Sequence, residues 1–395
     1  MRVMNTSPAM SSVNTPASAL LRISAAMFLS YLTIGLPLAT LPLYVQQQLG
    51  LNDLMIGIAV GSQFIATLFS RGLAGRKADA FGGRQTVIMG QVCCATSGIF
   101  MLASAQGAEL PIFAWSLLIA GRVLLGLGES FILTGNLTWG MWLAGAPSAG
   151  KVISWNGMAT YGALATGAPL GLMLYTHYNL SVLATITLFL PLCSFLLTQG
   201  LPGNAPEVRA RASMRLVFRQ VWRPGMGLVL QGIGFASLSA FAVLYFNEKG
   251  WYYAGFAMTL FGGAFILVRL FFAHFPDRYG GVRVATCSLL IEGTGLLLLW
   301  GAPTPTVALI GAAITGCGCS LMFPSLGVEV VRRVSPEIRG TALGTWSAFQ
   351  DLAYGLTGPL AGMLTPWMGY QHVFLIAAAS ALLGAAILRG LLRQV

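Results

Sequence analysis

The chain has 395 residues, of which 56% are hydrophobic and 8% are charged, whereas about a quarter of the residues of an ordinary soluble protein are charged. This composition, with a mean hydropathy of +0.76, excludes a soluble globular protein and indicates an integral membrane protein. The net charge of +11 comes from basic residues spread over short loops, which argues against a nucleic-acid partner and follows the positive-inside rule.

Twelve apolar stretches have about the length, roughly 20 residues, that a helix needs to cross a bilayer. Because lipid offers the backbone no hydrogen bonds, runs of this length predict helices. The predicted spans are residues 19–44, 53–75, 86–106, 111–138, 149–174, 181–200, 224–246, 254–272, 284–302, 306–330, 339–364 and 371–390.

Basic residues indicate the side of the membrane on which each loop lies. With the N-terminus in the cytoplasm, nearly all Lys and Arg residues outside the spans fall in or beside cytoplasmic segments, and Lys249 stands alone on the other side. The apolar run after the Ser-rich N-terminal residues shows no cleavage site of a signal peptide. We therefore expect a multi-pass protein of the cell inner (plasma) membrane with both termini cytoplasmic.

Five arginines between positions 209 and 223 mark the one long polar connection of the chain. This connection separates six predicted spans from the next six. The predicted division is a disordered cytoplasmic tail at 1–18, an N-terminal six-helix bundle at 19–200, a cytoplasmic basic linker at 201–223 and a C-terminal six-helix bundle at 224–395.

A charged hairpin after span two is repeated in the second half. Its first copy, from Arg71 to Arg84, is predicted to gather four basic side chains around Asp79. At an offset of 198, Arg269 corresponds to Arg71 and Asp277 to Asp79; from span four onward the offset is 190. The two halves are therefore predicted to be parallel copies. The other coinciding positions are Gly82 with Gly280, Gly83 with Gly281, Gly126 with Gly316, Gly128 with Gly318 and Pro169 with Pro359.

Twelve spans, a central basic linker and a G-x-x-x-D-x-x-G-[GR]-R hairpin resemble the major facilitator superfamily. The resemblance implies an all-α membrane fold of two six-helix pseudo-repeat bundles. It also implies that the hairpins gate the transport path, with Asp79 capping a helix and pairing with arginines. The implied gating residues are Gly75, Arg76, Asp79, Gly82, Gly83 and Arg84, and Asp277, Arg278, Gly280, Gly281 and Arg283 in the second copy.

Two further motifs carry the resemblance. Gly121 to Glu129 looks like the family's span-four motif, with Arg122 in mid-membrane. Spans five and eleven resemble the glycine–proline motif linked to antiporters, although Ala168 interrupts the span-five copy. The stretch from Ser154 to Leu170 looks most like a bacterial efflux-permease subgroup. The implied helix-packing residues are Gly167, Pro169 and Gly171, and Gly358, Pro359 and Gly362.

Ionisable side chains at membrane depth are costly and mark functional sites by default. Arg122 and Glu129 are seven residues apart, which places them on one face of span four, and their counterparts in the other half are Ala312 and Cys319. We predict that Glu129 carries the proton and Arg122 assists it. The alternative is an ion pair that only holds neighbouring helices together.

Asp351 on span eleven is a second candidate for proton coupling, because its counterpart is Tyr161. It shares a helix face with Ser347 and Tyr354, and the alternative is a hydrogen bond that only packs two spans. For Glu292 on span nine we expect a carboxyl that is neutral or reaches the interface.

Polar and aromatic residues on several spans are candidates for the substrate cavity. The alternative for each of them is a role in contacts between helices only. No phosphate-binding loop, metal cluster or catalytic triad is evident, so neither a cofactor nor an enzymatic activity is expected. The substrate-binding candidates are Tyr31, Asn156, Tyr161, Gln231, Phe235 and Gln350.

These patterns favour a secondary transporter that works by alternating access and exports a small organic molecule in exchange for protons. An uptake symporter on the same scaffold is one alternative. A non-transporting membrane sensor or assembly protein is an alternative of another class. The expected partners are a small-molecule substrate, protons and the lipid bilayer, with no nucleic acid, and the expected state is a monomer.

Overall fold

The computed structural model describes residues 16–144, 149–203, 214–334 and 339–392, and the regular structure in these ranges is helical throughout. The predicted all-α class is confirmed. Twelve long helical segments occur in the described ranges, and each overlaps one predicted span, although α6, α8 and α9 miss two residues at one end of theirs. They are α1 (Ala17–Gln48), α2 (Asp53–Phe81), α3 (Gly83–Gln106), α4 (Pro111–Ala144), α5 (Ala149–His177), α6 (Leu180–Thr198), α7 (Met214–Glu248), α8 (Phe256–Phe272), α9 (Gly281–Trp300), α10 (Pro305–Arg333), α11 (Arg339–Met368) and α12 (Tyr370–Leu392).

Length and composition alone make nine of the described helical segments long and apolar enough to cross a membrane. Helix α8 is a shorter apolar helix of 17 residues, and α5 and α11 have 29 and 30 residues. The predicted N-terminal tail, residues 1–18, lies largely outside the described residues. Most of the predicted linker does as well, and the domain boundaries stay a prediction.

The charged hairpin is shorter than its sequence indicates. Helix α2 continues through the charged stretch to Phe81, and the turn into α3 is made at Gly82. Gly82 has φ 81°, a conformation that glycine adopts without strain. The second copy turns at Gly280, with φ 88°, after the short helix Phe275–Tyr279. Both predicted turns are therefore present, and the preceding charges lie on helices because Lys, Arg and Ala favour helix.

Helices α1–α6 pack mainly on one another, and so do α7–α12. The main contacts between the two sets are α2 with α11 and α5 with α8. These pairs are equivalent under the sequence repeat, because α8 is the counterpart of α2 and α11 is the counterpart of α5. The contact between the halves is thus approximately two-fold symmetric.

Following the basic residues, we call the end of the bundle at Asp53 and Tyr370 the outer end and the end at Gly82 and Gly280 the inner end. Toward the outer end, α2 and α11 touch through their backbones. A Cβ at Gly57 would overlap the carbonyl group of Gly358, and one at Gly362 would overlap that of Asp53. Small residues let helices approach in this way.

A polar network reinforces this outer contact. The Asp53 carboxylate accepts hydrogen bonds from the Thr365 hydroxyl at 2.7 Å and the Tyr370 hydroxyl at 2.9 Å. The amide of Gln46 donates to the same Tyr370 oxygen at 2.8 Å. Helices α1, α2, α11 and α12 are therefore joined at the outer end.

The close contact between α2 and α11 yields a stability prediction. We expect Gly57→Ala to lower the free energy of unfolding by about 1–3 kcal/mol, because the added methyl group has no room. The matched control is Gly263→Ala on α8, where a Cβ would meet no described atom within 4 Å. Thermal unfolding of the purified variants compares them, and equal stability of the two would contradict the close contact.

The orientation of the bundle yields a labelling prediction. In a background without the six native cysteines, we expect Tyr252→Cys, at a side chain that is 81% exposed, to react in intact cells with a membrane-impermeant thiol reagent. Arg219→Cys, at an exposed position of α7, should react only after the membrane is opened. The reverse pattern would invert the assigned topology.

Candidate functional site

An ion pair joins the two halves within the bundle. Both nitrogens on one edge of the Arg71 guanidinium on α2 donate to the Asp351 carboxylate on α11, Nη2 to Oδ1 at 2.9 Å and Nε to Oδ2. The Asp351 side chain is 6% exposed and that of Arg71 is 17% exposed. Such a two-pronged contact is the strong form of a charge-assisted hydrogen bond. The prediction that Arg71 turns toward Asp79 is therefore wrong.

Glu129 on α4 is held by the same face of α2. Gln63 donates to Glu129 Oε2 at 2.7 Å, and Thr67 donates to the same oxygen at 3.3 Å. Gln63, Thr67 and Arg71 succeed one another every fourth residue, so they line one side of the helix. Glu129 consequently lies within electrostatic range of both Arg71 and Asp351.

Tyr31 on α1 completes this group. It is buried, and it lies within electrostatic range of Glu129, Arg71 and Asp351. We call Tyr31, Arg71, Glu129 and Asp351 the central polar cluster. It brings together two predicted proton-coupling residues and one predicted substrate residue, and it adds Arg71, whose role in the membrane the sequence analysis missed. The available signal was its position, within an apolar run and one helical turn before Gly75.

Arg122 does not pair with Glu129. Its side chain is 3% exposed and donates to the backbone carbonyls of Ala59 at 3.1 Å and Val60 at 3.4 Å, both on α2. The predicted shared face is present, because Arg122 and Glu129 both contact α2, but at different turns. Arg122 adjoins a cavity of about 10 Å³, too small for an organic substrate. The arrangement suits a residue that fixes α4 against α2.

An aromatic cluster lies at the contact between the halves. Tyr161 on α5 stacks on Phe265 of α8 with ring centroids 3.7 Å apart, and its ring also meets Phe235 of α7 at 6.3 Å. Tyr354 on α11 contacts Phe235 at 4.8 Å and accepts a hydrogen bond from Gln350. Three predicted substrate residues, Tyr161, Phe235 and Gln350, are thus brought together.

The other two predicted substrate residues lie apart from each other. Asn156 is buried on α5, and its Nδ2 has no partner among the described residues. Gln231 donates to the Cys319 sulfur at 3.1 Å, and both lie beside Glu292. Glu292 is 0% exposed, so the alternative in which it reaches the interface is wrong, and a neutral carboxyl stays a prediction. Helices α7 and α10 cover it, because α9 packs inside this half through Gly318 and Gly234.

The hairpin residues lie at the inner end of each half. Asp79 makes no ion pair or hydrogen bond with any residue that the structure describes, so the expected capping and pairing are not seen. Lys77 lies over the Phe81 ring instead, at 4.9 Å. Asp277 and Arg278 are exposed. Gly83 and Gly281 pack against α4 and α10, while Gly75 faces no described atom within 4 Å.

The described packing motifs line two contacts. On α5, Gly167 and Gly171 meet the backbone of α1 at Gly35 and Leu36. On α11, Gly358 and Gly362 meet α2, as described above. The glycine–proline stretches therefore serve close helix approach at the positions that the prediction named.

A family model described as Major Facilitator Superfamily matches residues 23–257 and 252–394. The chain belongs to the major facilitator superfamily. It is therefore a multi-pass membrane protein of a transporter family, as the resemblance implied.

Two relatives support this membership. An uncharacterized MFS-type transporter of Salmonella typhimurium is 70% identical over 375 residues, which cover 95% of this chain and 97% of that one. An uncharacterized MFS-type transporter of Burkholderia mallei is 45% identical over 361 residues, or 91% and 88% of the two chains.

Solved structures share the fold at low sequence identity. A D-xylose–proton symporter superposes with a TM-score of 0.76 at 16% identity and covers 93% of this chain and 97% of its own. A nucleoside transporter superposes with a TM-score of 0.69 at 19% identity, covering 94% of this chain and 98% of its own. These likenesses establish the fold alone.

The Arg71–Asp351 pair yields a stability prediction. We expect Asp351→Asn to destabilise the protein by about 3–5 kcal/mol, because it leaves a buried guanidinium without its counter-charge. The double variant Arg71→Gln/Asp351→Asn should recover part of that loss. Glu109→Gln, at an exposed carboxyl, is the matched control. The stabilities are measured by thermal unfolding. If the losses of stability in the two single variants add up in the double variant, the two side chains are not coupled.

Proposed function

We propose that the chain is a proton-coupled secondary transporter that exports a small organic molecule by alternating access between its two six-helix halves. The observation that carries this proposal is the Arg71–Asp351 pair, which bridges the halves and shares its surroundings with Glu129. A protonatable group within electrostatic range of a bridge between moving parts links proton binding to movement.

The linkage follows from electrostatics. Asp351 and Glu129 are both within range of one guanidinium, so the two carboxylates compete for the charge of Arg71. When Glu129 binds a proton, its negative charge is lost. Arg71 then interacts with Asp351 alone, which favours contact between α2 and α11. Loss of that proton weakens the bridge, because Arg71 is then shared. Proton binding and the position of the halves therefore alter each other's equilibrium.

The contacts between the halves support one access state with a closed outer end. Toward that end, α2 and α11 pack through Gly57, Gly358 and the Asp53 network. Toward the inner end, Gly75 on α2 and Gly344 on α11 face no described atom within 4 Å. Opening the outer end requires breaking a small set of contacts while each half keeps its own packing, as in a rigid-body transition.

Export, rather than uptake, is supported by the resemblance of the α5 and α11 motifs to those of antiporters. We further propose that both termini are cytoplasmic, that the inner-end hairpins act as gates and that the protein works as a monomer in the cell inner membrane. Tyr161, Phe235 and Gln350 line the proposed substrate path.

The coupling role of Glu129 is tested by Glu129→Gln, which keeps side-chain size and hydrogen bonding but cannot exchange a proton. In proteoliposomes loaded with a pH-sensitive dye, small organic molecules are screened for substrate-dependent proton movement. We expect the variant to lose proton movement by about a hundredfold or more, the typical contribution of a positioned proton-transfer group, while substrate exchange persists. Substrate entry that makes the lumen alkaline indicates antiport, and acidification indicates symport.

Asp351→Asn is measured in parallel, and Glu109→Gln is the control. Normal proton movement in Glu129→Gln, together with its loss in an Asp351→Asn protein that thermal unfolding shows to be folded, would assign the proton site to α11. If none of the screened molecules elicits proton movement in the wild-type protein, the result argues against coupled transport.

A further inference from the structure

The repeat places two arginines at equivalent positions but gives a carboxylate to only one of them. Arg71 and Arg269 correspond at the offset of 198, and Asp351 and Tyr161 correspond at the offset of 190. The contact of α2 with α11 thus holds Arg71 against Asp351, and the equivalent contact of α8 with α5 holds Arg269 near Tyr161. A phenol stands where the other half has a negative charge.

Arg269 is left without a counter-charge inside the bundle. It is 7% exposed, its Nη2 donates to the backbone carbonyl of Ser320, and its guanidinium lies 5.0 Å from the ring of Phe265. Its Nε has no hydrogen-bond partner, and it forms no ion pair with any residue in the described ranges. A buried cation that is not paired is costly, so the site is complementary to an anion.

The opposite wall is a partly exposed face of α5 that carries Gly157 and Tyr161. Gly157 and Tyr161 are one helical turn apart on α5 and face Arg269. At Gly157 the missing side chain brings the helix backbone close to Nη1, since a Cβ there would lie 3.6 Å from that nitrogen. The Tyr161 hydroxyl stands on the same face; it accepts a hydrogen bond from the Tyr354 hydroxyl and can donate its own proton to a ligand.

The walls next to this charge are aromatic. Tyr161 stacks on Phe265, and the rings of Phe235 and Phe261 lie 6.3 Å from that of Tyr161. Flat apolar surfaces of this kind favour a planar ring in the ligand. The site therefore combines one unpaired positive charge with an aromatic lining.

We propose that the transported molecule is an aromatic organic anion whose carboxylate, or an equivalent singly charged group, binds Arg269 and the Tyr161 hydroxyl. Its ring lies against Tyr161, the partly exposed member of the aromatic cluster that it forms with Phe235, Phe261 and Phe265. The bound anion bridges α5 and α8 as Asp351 bridges α11 and α2, so the substrate completes the symmetry of the contact between the halves. This inference names the substrate class of the transporter proposed above and rests on that proposal.

Three naphthalene compounds of similar shape test the charge requirement: naphthoate, the neutral naphthalenemethanol and the cation naphthylmethylammonium. Binding to the purified protein in detergent is measured by thermal stabilisation, because a ligand of the folded state raises apparent stability. We expect naphthoate to bind at least about tenfold more tightly than the other two, the usual size of a hydrogen bond to a charged group.

Variants at the site locate the binding. Arg269→Gln should abolish the preference for naphthoate, whereas Arg219→Gln, an exposed arginine of the same half, should retain it. Tyr161→Phe keeps the ring and should weaken naphthoate binding several-fold. Tyr161→Asp places a carboxylate beside Arg269 and should abolish the binding of naphthoate. This variant tests the proposal even if Arg269→Gln does not fold.

Other outcomes overturn the proposal. Equal binding of the three compounds, or unchanged naphthoate binding in Arg269→Gln, would exclude an anion site at Arg269. Stabilisation by phosphatidylglycerol that depends on Arg269 and is not displaced by naphthoate would assign the site to a lipid headgroup.

The test is separable from that of coupling. A wild-type protein that moves protons with a neutral substrate and ignores naphthoate would refute only the substrate class. Naphthoate binding without proton movement would refute only the coupling.

Discussion

A guanidinium and a carboxylate that meet inside a membrane protein depend on each other, because neither is stable alone in a medium of low polarity. Arg71 and Asp351 are such a pair, and they are separated by 280 positions in the chain. The face of α2 that carries Arg71 is turned toward α11, and the preceding turns of that face, at Gln63 and Thr67, hold Glu129. One face of α2 thereby contacts both α11, through the ion pair, and α4, through Gln63 and Thr67, and the two carboxyl groups lie within electrostatic range of each other.

The two halves share their shape and differ in their charges. Turn glycines recur at Gly82 and Gly280, and equivalent helix pairs form the contact between the halves. The chemistry is exchanged: Glu129 of α4 corresponds to Cys319 of α10, and Glu292 of α9 corresponds to Cys94 of α3. Each half thus has one glutamate within electrostatic range of one cysteine, and the glutamate lies on α4 in the first half but on α9, the counterpart of α3, in the second. Duplication supplied the scaffold, and divergence at a few buried positions made the two sides unequal.

The contact between the halves at the outer end combines close backbone approach with one polar network. Backbone approach at Gly57 and Gly358 brings dispersion energy without side-chain interlocking, and the Asp53 network adds hydrogen bonds that form only when α2 meets α11 and α12. In the proposed transport cycle, the two halves separate along these contacts as rigid bodies.

Local patterns in the sequence determined the membrane class, the twelve helices, the turns at Gly82 and Gly280 and the correspondence between halves. Hydropathy and glycine placement act over a few residues, so they can be recognised along the chain. The sequence also singled out Glu129, Asp351 and Tyr161 as departures from the repeat.

Only the tertiary structure decided which partner each charge has: Asp351 rather than Asp79 for Arg71, backbone carbonyls rather than Glu129 for Arg122, and a fully buried position for Glu292. A helix offers several faces, and the face that meets another helix is set by the packing of all twelve together. The partners are therefore distant in sequence and adjacent in space, which no local pattern records.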